Sequence, residues 1–152
     1  MALKDQLMAD MKEAMKAHDK DRLAVIRMVR GAVRQQEIDG KKELEDSDVI
    51  AVISKEVKMR RDSIEEFNKG SRQDLVEKTQ AEIDILMPYL PAQLSEDEVR
   101  ELVKAAVEAT GAKTQKDMGK VMGILKPRLA GRADMTEVSR RVKAALASPP
   151  KA

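Results

Sequence analysis

The sequence predicts an all-α protein with a multihelical N-terminal domain of about four helices and a small C-terminal domain of about three. Three observations lead there. Among 152 residues there is one Tyr, one Phe and no Trp, whereas strand interiors draw on aromatic and β-branched side chains. The chain is instead 37% charged and rich in Ala, Leu, Met, Glu, Lys and Arg, which are good helix formers. Apolar residues also recur at spacings of three and four along most of its length, the signature of amphipathic helices.

The elements follow in order. Leu3, Leu7, Met11, Ala14 and Met15 share one helical face that should end near Ala17, before Asp19-Lys20-Asp21. His18 at that junction reads as a capping or surface residue in preference to a general base. A second helix is expected from about Asp21 to Ile38, with Val25, Ile26, Met28, Val29, Ala32 and Val33 inward and Arg27, Arg30 and Arg34 as an outward stripe. Asp39-Gly40 should stop it. After a polar loop, Asp46 or Ser47 can cap a third helix by accepting from its first free amides. Val49, Ile53, Val57, Ile64 and Phe67 form its apolar face, which also carries Arg60, four residues after Glu56. A cation on an apolar arc needs an ion-pair partner or a route to water, and a structural pair is favoured there over a ligand contact. Lys69-Gly70 should end this helix, and a fourth runs from Gln73 to about Met87 with Leu75, Thr79, Ile83 and Leu86 inward.

Pro88 and Pro91 cannot both sit in a helix interior, because each removes a donor and restricts its predecessor. Met87 to Leu94 therefore reads as a stiff linker, dividing a helical domain of residues 1–90 from a small helical domain of residues 91–152. Ser95-Glu96-Asp97-Glu98 fits the reciprocal capping box of a new helix, with Val99, Leu102, Val103, Ala106 and Val107 inward and a stop at Thr110-Gly111. A shorter helix is expected around Gln115 to Leu125, its extension limited by Pro127. Asp134 can cap a last helix whose buried stripe is Val138, Val142, Ala145 and Leu146 and which Ser148-Pro149-Pro150 ends.

Composition also narrows the chemistry. Without Cys there is no disulfide, thiolate nucleophile or thiolate metal site, and one His cannot supply a paired-His site. No metal and no cofactor are expected. No phosphate-binding loop is spaced correctly: seven residues separate Gly111 from Gly119-Lys120, and Val121 stands where Ser or Thr is required. No carboxylate pair is marked as an acid/base couple, so a catalytic site is not visible and the chain reads as noncatalytic. The first residues lack a secretory pattern and no stretch is apolar enough to span a bilayer. A cytoplasmic location is the expectation.

The net charge of +2 hides an asymmetry. Residues 1–110 carry 19 Lys+Arg against 24 Asp+Glu, whereas residues 111–152 carry 10 against 3. The balances are −5 and +7. A concentrated basic segment suits a polyanion, nucleic acid ahead of membrane, and a solvated basic face is the bland alternative. Within it, Lys116, Lys120, Lys126, Arg128 and Arg132 surround Gly119 and Gly123, two helix-weakening residues for which close approach of another backbone would be a reason. Gly131-Arg132 precedes a helix start, whose free amides favour phosphate. Lys116, Lys120, Lys126, Arg128, Gly131 and Arg132 are therefore RNA-binding candidates, and Arg27, Arg30 and Arg34 are a second basic surface.

At these residues the chain resembles the YqeY-like family. The resemblance runs through Asp19-Lys20-Asp21-Arg22, Ile26-Arg27-Met28, Lys55-Glu56-Val57-Lys58, Arg60-Arg61-Asp62-Ser63-Ile64, Tyr89-Leu90-Pro91, Met118-Gly119-Lys120-Val121-Met122 and Gly131-Arg132-Ala133-Asp134. It implies a helical N-terminal domain and a small GatB/YqeY-type C-terminal domain. That pair is similar to the tail of the B subunit of the glutamine-dependent amidotransferase acting on misacylated Glu-tRNA(Gln) or Asp-tRNA(Asn), a tail that helps hold the tRNA. The portable pattern falls on Gly119, Lys120, Val121, Met122, Gly131, Arg132, Ala133 and Asp134. The resemblance implies a tRNA-binding or tRNA-associated protein, with tRNA or other structured RNA as partner. Its alternatives are an accessory to a carbon–nitrogen ligase using glutamine as amide donor, meeting a protein partner in tRNA aminoacylation or amidation, and a helical protein-interaction module. With so few aromatics, stacking of unpaired bases is disfavoured and readout of RNA shape is expected.

Overall fold

The structure, a computed structural model, describes residues 2–147. Seven α-helices and two short 3-10 turns account for its elements, with no strand among the described residues. The chain divides into two compact units, Met1–Leu90 and Pro91–Ala152, each with its own apolar core.

The first unit contains α1 (Leu3–Lys16), α2 (Lys20–Gly40), α3 (Asp46–Lys69) and α4 (Gln73–Leu86). α1 packs along α2, and α3 along α4. Leu7 of α1, Val25, Ile26, Val29 and Val33 of α2, Val49, Ile53 and Val57 of α3, and Ile83 and Leu86 of α4 fill the core between them. Full burial of each such side chain stabilises the unit by about 1.5–3 kcal/mol. Ile64 and Phe67, toward the end of α3, are only half-buried.

Three helix reversals in this unit each place a non-glycine residue at positive φ: His18 at 56°, Lys41 at 53° and Ser71 at 55°. α2 ends at Gly40 and α3 at Lys69, where expected, but the left-handed residue lies beyond the glycine in each. Gly40 remains helical, and Lys41 takes the left-handed cap; Gly70 has φ −88°, and Ser71 makes the reversal. The start of α3 also differs. Asp48 Oδ2 accepts from the Glu45 N–H at 3.0 Å, while the Asp46 carboxylate accepts from the Leu3 N–H at 3.0 Å and so caps α1, 43 residues away in sequence.

Met87–Tyr89 forms a 3-10 turn directly after α4. What reads as a linker is therefore partly built into the first core: Tyr89 is buried, and its hydroxyl donates to the carboxylate of Asp10 on α1.

The second unit contains α5 (Glu96–Thr110), α6 (Met118–Leu129) and α7 (Met135–Ala147), with a 3-10 turn at Gln115–Asp117. Ser95 caps α5, its hydroxyl accepting from the Glu98 N–H at 3.1 Å, and Gly111 closes it in the left-handed region at φ 65°. Val99, Val103, Ala106, Val121, Met122, Leu125, Leu129, Val138, Val142 and Leu146 form the core. α6 runs through Pro127 instead of stopping before it. The missing N–H would have bonded the carbonyl of Gly123, so only one bond is lost in the last turn. The expected stop at Ser148-Pro149-Pro150 lies outside the described residues.

Candidate nucleic-acid interface

α6 contains two lysines and one arginine and no carboxylate. Its buried side is Val121, Met122, Leu125 and Leu129. At about 100° per residue, Lys120, Gly123 and Pro127 then lie on the opposite side, with Gly119 and Lys126 toward one flank, and all five are exposed. Lys116 is exposed in the preceding 3-10 turn. Arg128, also exposed, is nine residues from Gly119 and leaves the helix on the other side. The glycines do not serve tight packing within the chain: a Cβ at either Gly119 or Gly123 would meet nothing within 4 Å. They leave a bare strip of backbone between cations.

Asp117 lies at the base of this helix. Its Oδ2 accepts from the N–H groups of Lys113 at 3.0 Å and Thr114 at 3.3 Å, and these bonds, ahead of the nearby Lys120 charge, hold its carboxyl below the ordinary range. This acid belongs to its own turn.

The turn between α6 and α7 is committed to the fold. Gly131 sits at φ 74°, and its carbonyl accepts from Gln93 Nε2 at 2.6 Å. Arg132 Nε donates to the Ala92 carbonyl at 3.1 Å, while the Arg132 carbonyl accepts from the Leu94 N–H at 3.0 Å. Arg132 therefore fastens residues 92–94. At the start of α7, Asp134 Oδ1 accepts from the Thr136 N–H at 2.9 Å. A carboxylate already occupies that helix start, which opposes a phosphate there. Lys120 and Arg132 do not converge: they stand at opposite ends of α6, which rises about 14 Å between Lys120 and Leu129 at 1.5 Å per residue.

In the first unit, Arg27, Arg30 and Arg34 line a cleft of about 470 Å³ between α1 and α2. Arg27 and Arg34 are exposed, and Arg30 is half-buried, with Nη1 3.0 Å from the Met11 sulfur. Among the described residues none of the three is ion-paired. One end of the cleft is closed by Lys4 and Glu37, paired at 2.7 Å. Sequence reasoning missed that Gly31 lies among these arginines in the cleft; the signal was available as Arg30-Gly31 inside an otherwise strong helix.

The remaining candidates are structural. Arg60 is 14% exposed, its Nη1 2.7 Å from Glu56 and its Nε 3.4 Å from Glu82. His18 is an exposed turn residue. No group of acids and His suited to a metal ion occurs among the described residues.

The family described as "Yqey-like protein" matches residues 4–146. The chain belongs to the YqeY-like family. Among curated relatives of this YqeY-like chain, a protein of Pyrenophora tritici-repentis named "Altered inheritance of mitochondria protein 41, mitochondrial" is 36% identical over 142 residues, covering 91% of this chain and 77% of the relative. Its namesake in Kluyveromyces lactis is 44% identical over 87 residues, covering 57% and 47%. That of Saccharomyces cerevisiae strain YJM789 is 36% identical over 111 residues, covering 70% and 60%. The chain thus spans about half to three fifths of the length of the latter two relatives. These names overturn the cytoplasmic expectation, since the relatives are named as mitochondrial proteins. Composition does not distinguish compartments, which are set by receptor-read addresses.

Proposed function

We propose that this YqeY-like chain is a noncatalytic protein that binds structured RNA, with tRNA the favoured class, through the outer face of α6. The observation that carries the reading is a helix with three cations, no carboxylate, and open space over Gly119 and Gly123. Lysines neutralise backbone phosphates without reading sequence, and the bare strip lets a sugar-phosphate backbone lie close to the helix. The scarcity of aromatic residues favours shape and phosphate contacts over base stacking. The resemblance to the amidotransferase tail supports tRNA as the class of RNA.

The test is binding of an unmodified tRNA transcript across a salt series. Affinity should fall linearly on a log–log plot, with a slope of about −0.7 to −0.9 per phosphate contacted, as for single-stranded nucleic acid and B-DNA. Lys120→Glu with Lys126→Glu should weaken binding at least tenfold at fixed salt with folding intact. No retention of tRNA at low salt, or an unchanged affinity in the double variant, overturns the reading. Arg132→Glu is unsuitable as the deciding variant because Arg132 also fastens residues 92–94.

A further inference from the structure

The cleft between α1 and α2 has features that phosphate contact alone does not require. It is a recess of about 470 Å³, within the size range of small-molecule sites. Arg27, Arg30 and Arg34 bring three cations to it with no ion-pair partner among the described residues. Spaced over seven residues of one helix, they extend about 10 Å along the recess. Between them lies Gly31, where a Cβ would meet nothing within 4 Å, so the middle is left open. On the α1 side the lining is Lys4, Asp5, Leu7 and Met8, the last 40% exposed, so the apolar surface lies beside one acid and one further cation.

We propose that this cleft is a binding site for a nucleoside diphosphate. The arginines hold the phosphates by charge-assisted hydrogen bonds, for which guanidinium geometry is suited. The nucleoside lies over Gly31 against Met8, which supplies apolar, polarisable surface for a flat ring. A polynucleotide held by its phosphates gains little from a half-open recess with apolar surface on one wall; a ligand that is half phosphate and half ring gains from both. The site is separate in its residues from the α6 face, so either reading can fail alone.

Calorimetric titration of the full chain with ADP, inorganic pyrophosphate and a tRNA transcript tests the assignment. ADP should bind with one site per chain, pyrophosphate at least fivefold more weakly, and Gly31→Met should weaken ADP at least tenfold without lowering thermal stability, since a side chain at this helical position favours the helix, and with tRNA affinity unchanged. Arg27→Ala with Arg34→Ala should abolish the ADP heat, providing a second variant that removes charge instead of filling space. Absence of ADP binding at millimolar concentration overturns the proposal. So does equal affinity for ADP and pyrophosphate, since the nucleoside would then contribute nothing. A Gly31→Met variant that keeps its ADP affinity, or that loses tRNA instead, overturns it as well; the latter result would make the cleft an RNA surface.

Discussion

Tyr89, the last residue of the 3-10 turn after α4, donates its hydroxyl proton to Asp10 on α1 and so ties the end of the first unit to its beginning. Asp10 also lies 3.7 Å from Arg22, so a cation stands behind the acceptor. Burial first, and then the bond to Asp10, raises the Tyr89 phenol well above the ordinary value of 10.0. The folded state keeps the proton that the unfolded state releases near pH 10. The stability this contributes is complete below about pH 10 and is lost as pH climbs from there toward the folded value. Tyr89→Phe should cost about 1–2 kcal/mol at neutral pH and flatten the alkaline limb of a urea-midpoint versus pH curve. Lys4, raised above 10.5 chiefly by its hydrogen bond to Glu37, acts at the same end, so Lys4→Met is the control. An unchanged alkaline limb in Tyr89→Phe would show that the phenol does not carry it.

At the acid end the sensitive group is Glu37. Its Oε2 accepts from Lys4 Nζ at 2.7 Å and from the Leu44 N–H at 2.8 Å, and the Lys4 bond, followed by the Leu44 bond, lowers its pKa below 4.5. A depressed carboxylate stabilises fully above its unfolded pKa and loses that contribution as pH falls toward the folded value. Glu37→Gln should therefore be less stable than the parent near neutrality and converge with it below about pH 4. Parallel curves down to strongly acid pH would remove Glu37 from the account.

Lys41 caps α2 at φ 53°, a conformation that costs a side chain roughly 1–2 kcal/mol and glycine almost nothing. Against that stands the greater entropy glycine loses on folding. Lys41→Gly should be neutral to stabilising, by up to about 1 kcal/mol, read as a higher urea midpoint at unchanged slope. A loss of stability would mean that the lysine side chain makes up for its own strain.

Arg60 bridges α3 and α4 from a nearly buried position between Glu56 and Glu82, with Nη2 3.1 Å from the Met28 sulfur. Removing the cation leaves two carboxylates close together in a poorly hydrated place. Arg60→Ala should cost about 2 kcal/mol or more, and Arg60→Ala with Glu56→Gln less than the sum of the separate changes. Additive losses would show that the pair is not coupled.

Gly119→Ala with Gly123→Ala separates folding from function on α6. Both positions are open, and alanine favours helix by about 0.8–1.0 kcal/mol at each site. Thermal stability should rise while tRNA affinity falls, because methyl groups now stand on the bare strip. A variant that is stabilised and binds tRNA unchanged would confine the contact to the lysines.

The helices were legible where their causes are local. Apolar spacing located Leu7, Ile26, Val29, Ile53 and Leu125 in their cores, and Ser95 with Glu98 announced the start of α5 through a cap within four residues of chain. What escaped was set by distant partners. Nothing near Asp46 indicates that its carboxylate caps α1, nor does the neighbourhood of Arg132 reveal that it binds the Ala92 carbonyl. Gly40 and Gly70 marked the helix ends, but the left-handed residue beyond each depends on where the last backbone bonds close, and those bonds placed it at Lys41 and Ser71. Of the basic candidates, Lys116, Lys120, Lys126, Arg128, Arg27 and Arg34 are exposed, whereas Arg30 and Arg132 are half-buried. Which of them share a face became clear only once α6 was seen to run through Pro127.

The bonds from Gln93, Leu94 and Ala92 to Gly131 and Arg132 act as a buckle that the second unit fastens around its own leading strand of chain. Residues inserted between Leu90 and Pro91 would lengthen the tether without undoing that buckle or the hydroxyl clasp of Tyr89 on the other side. Each half therefore carries its own fastening next to the junction, and its integrity does not depend on the length of chain inserted there.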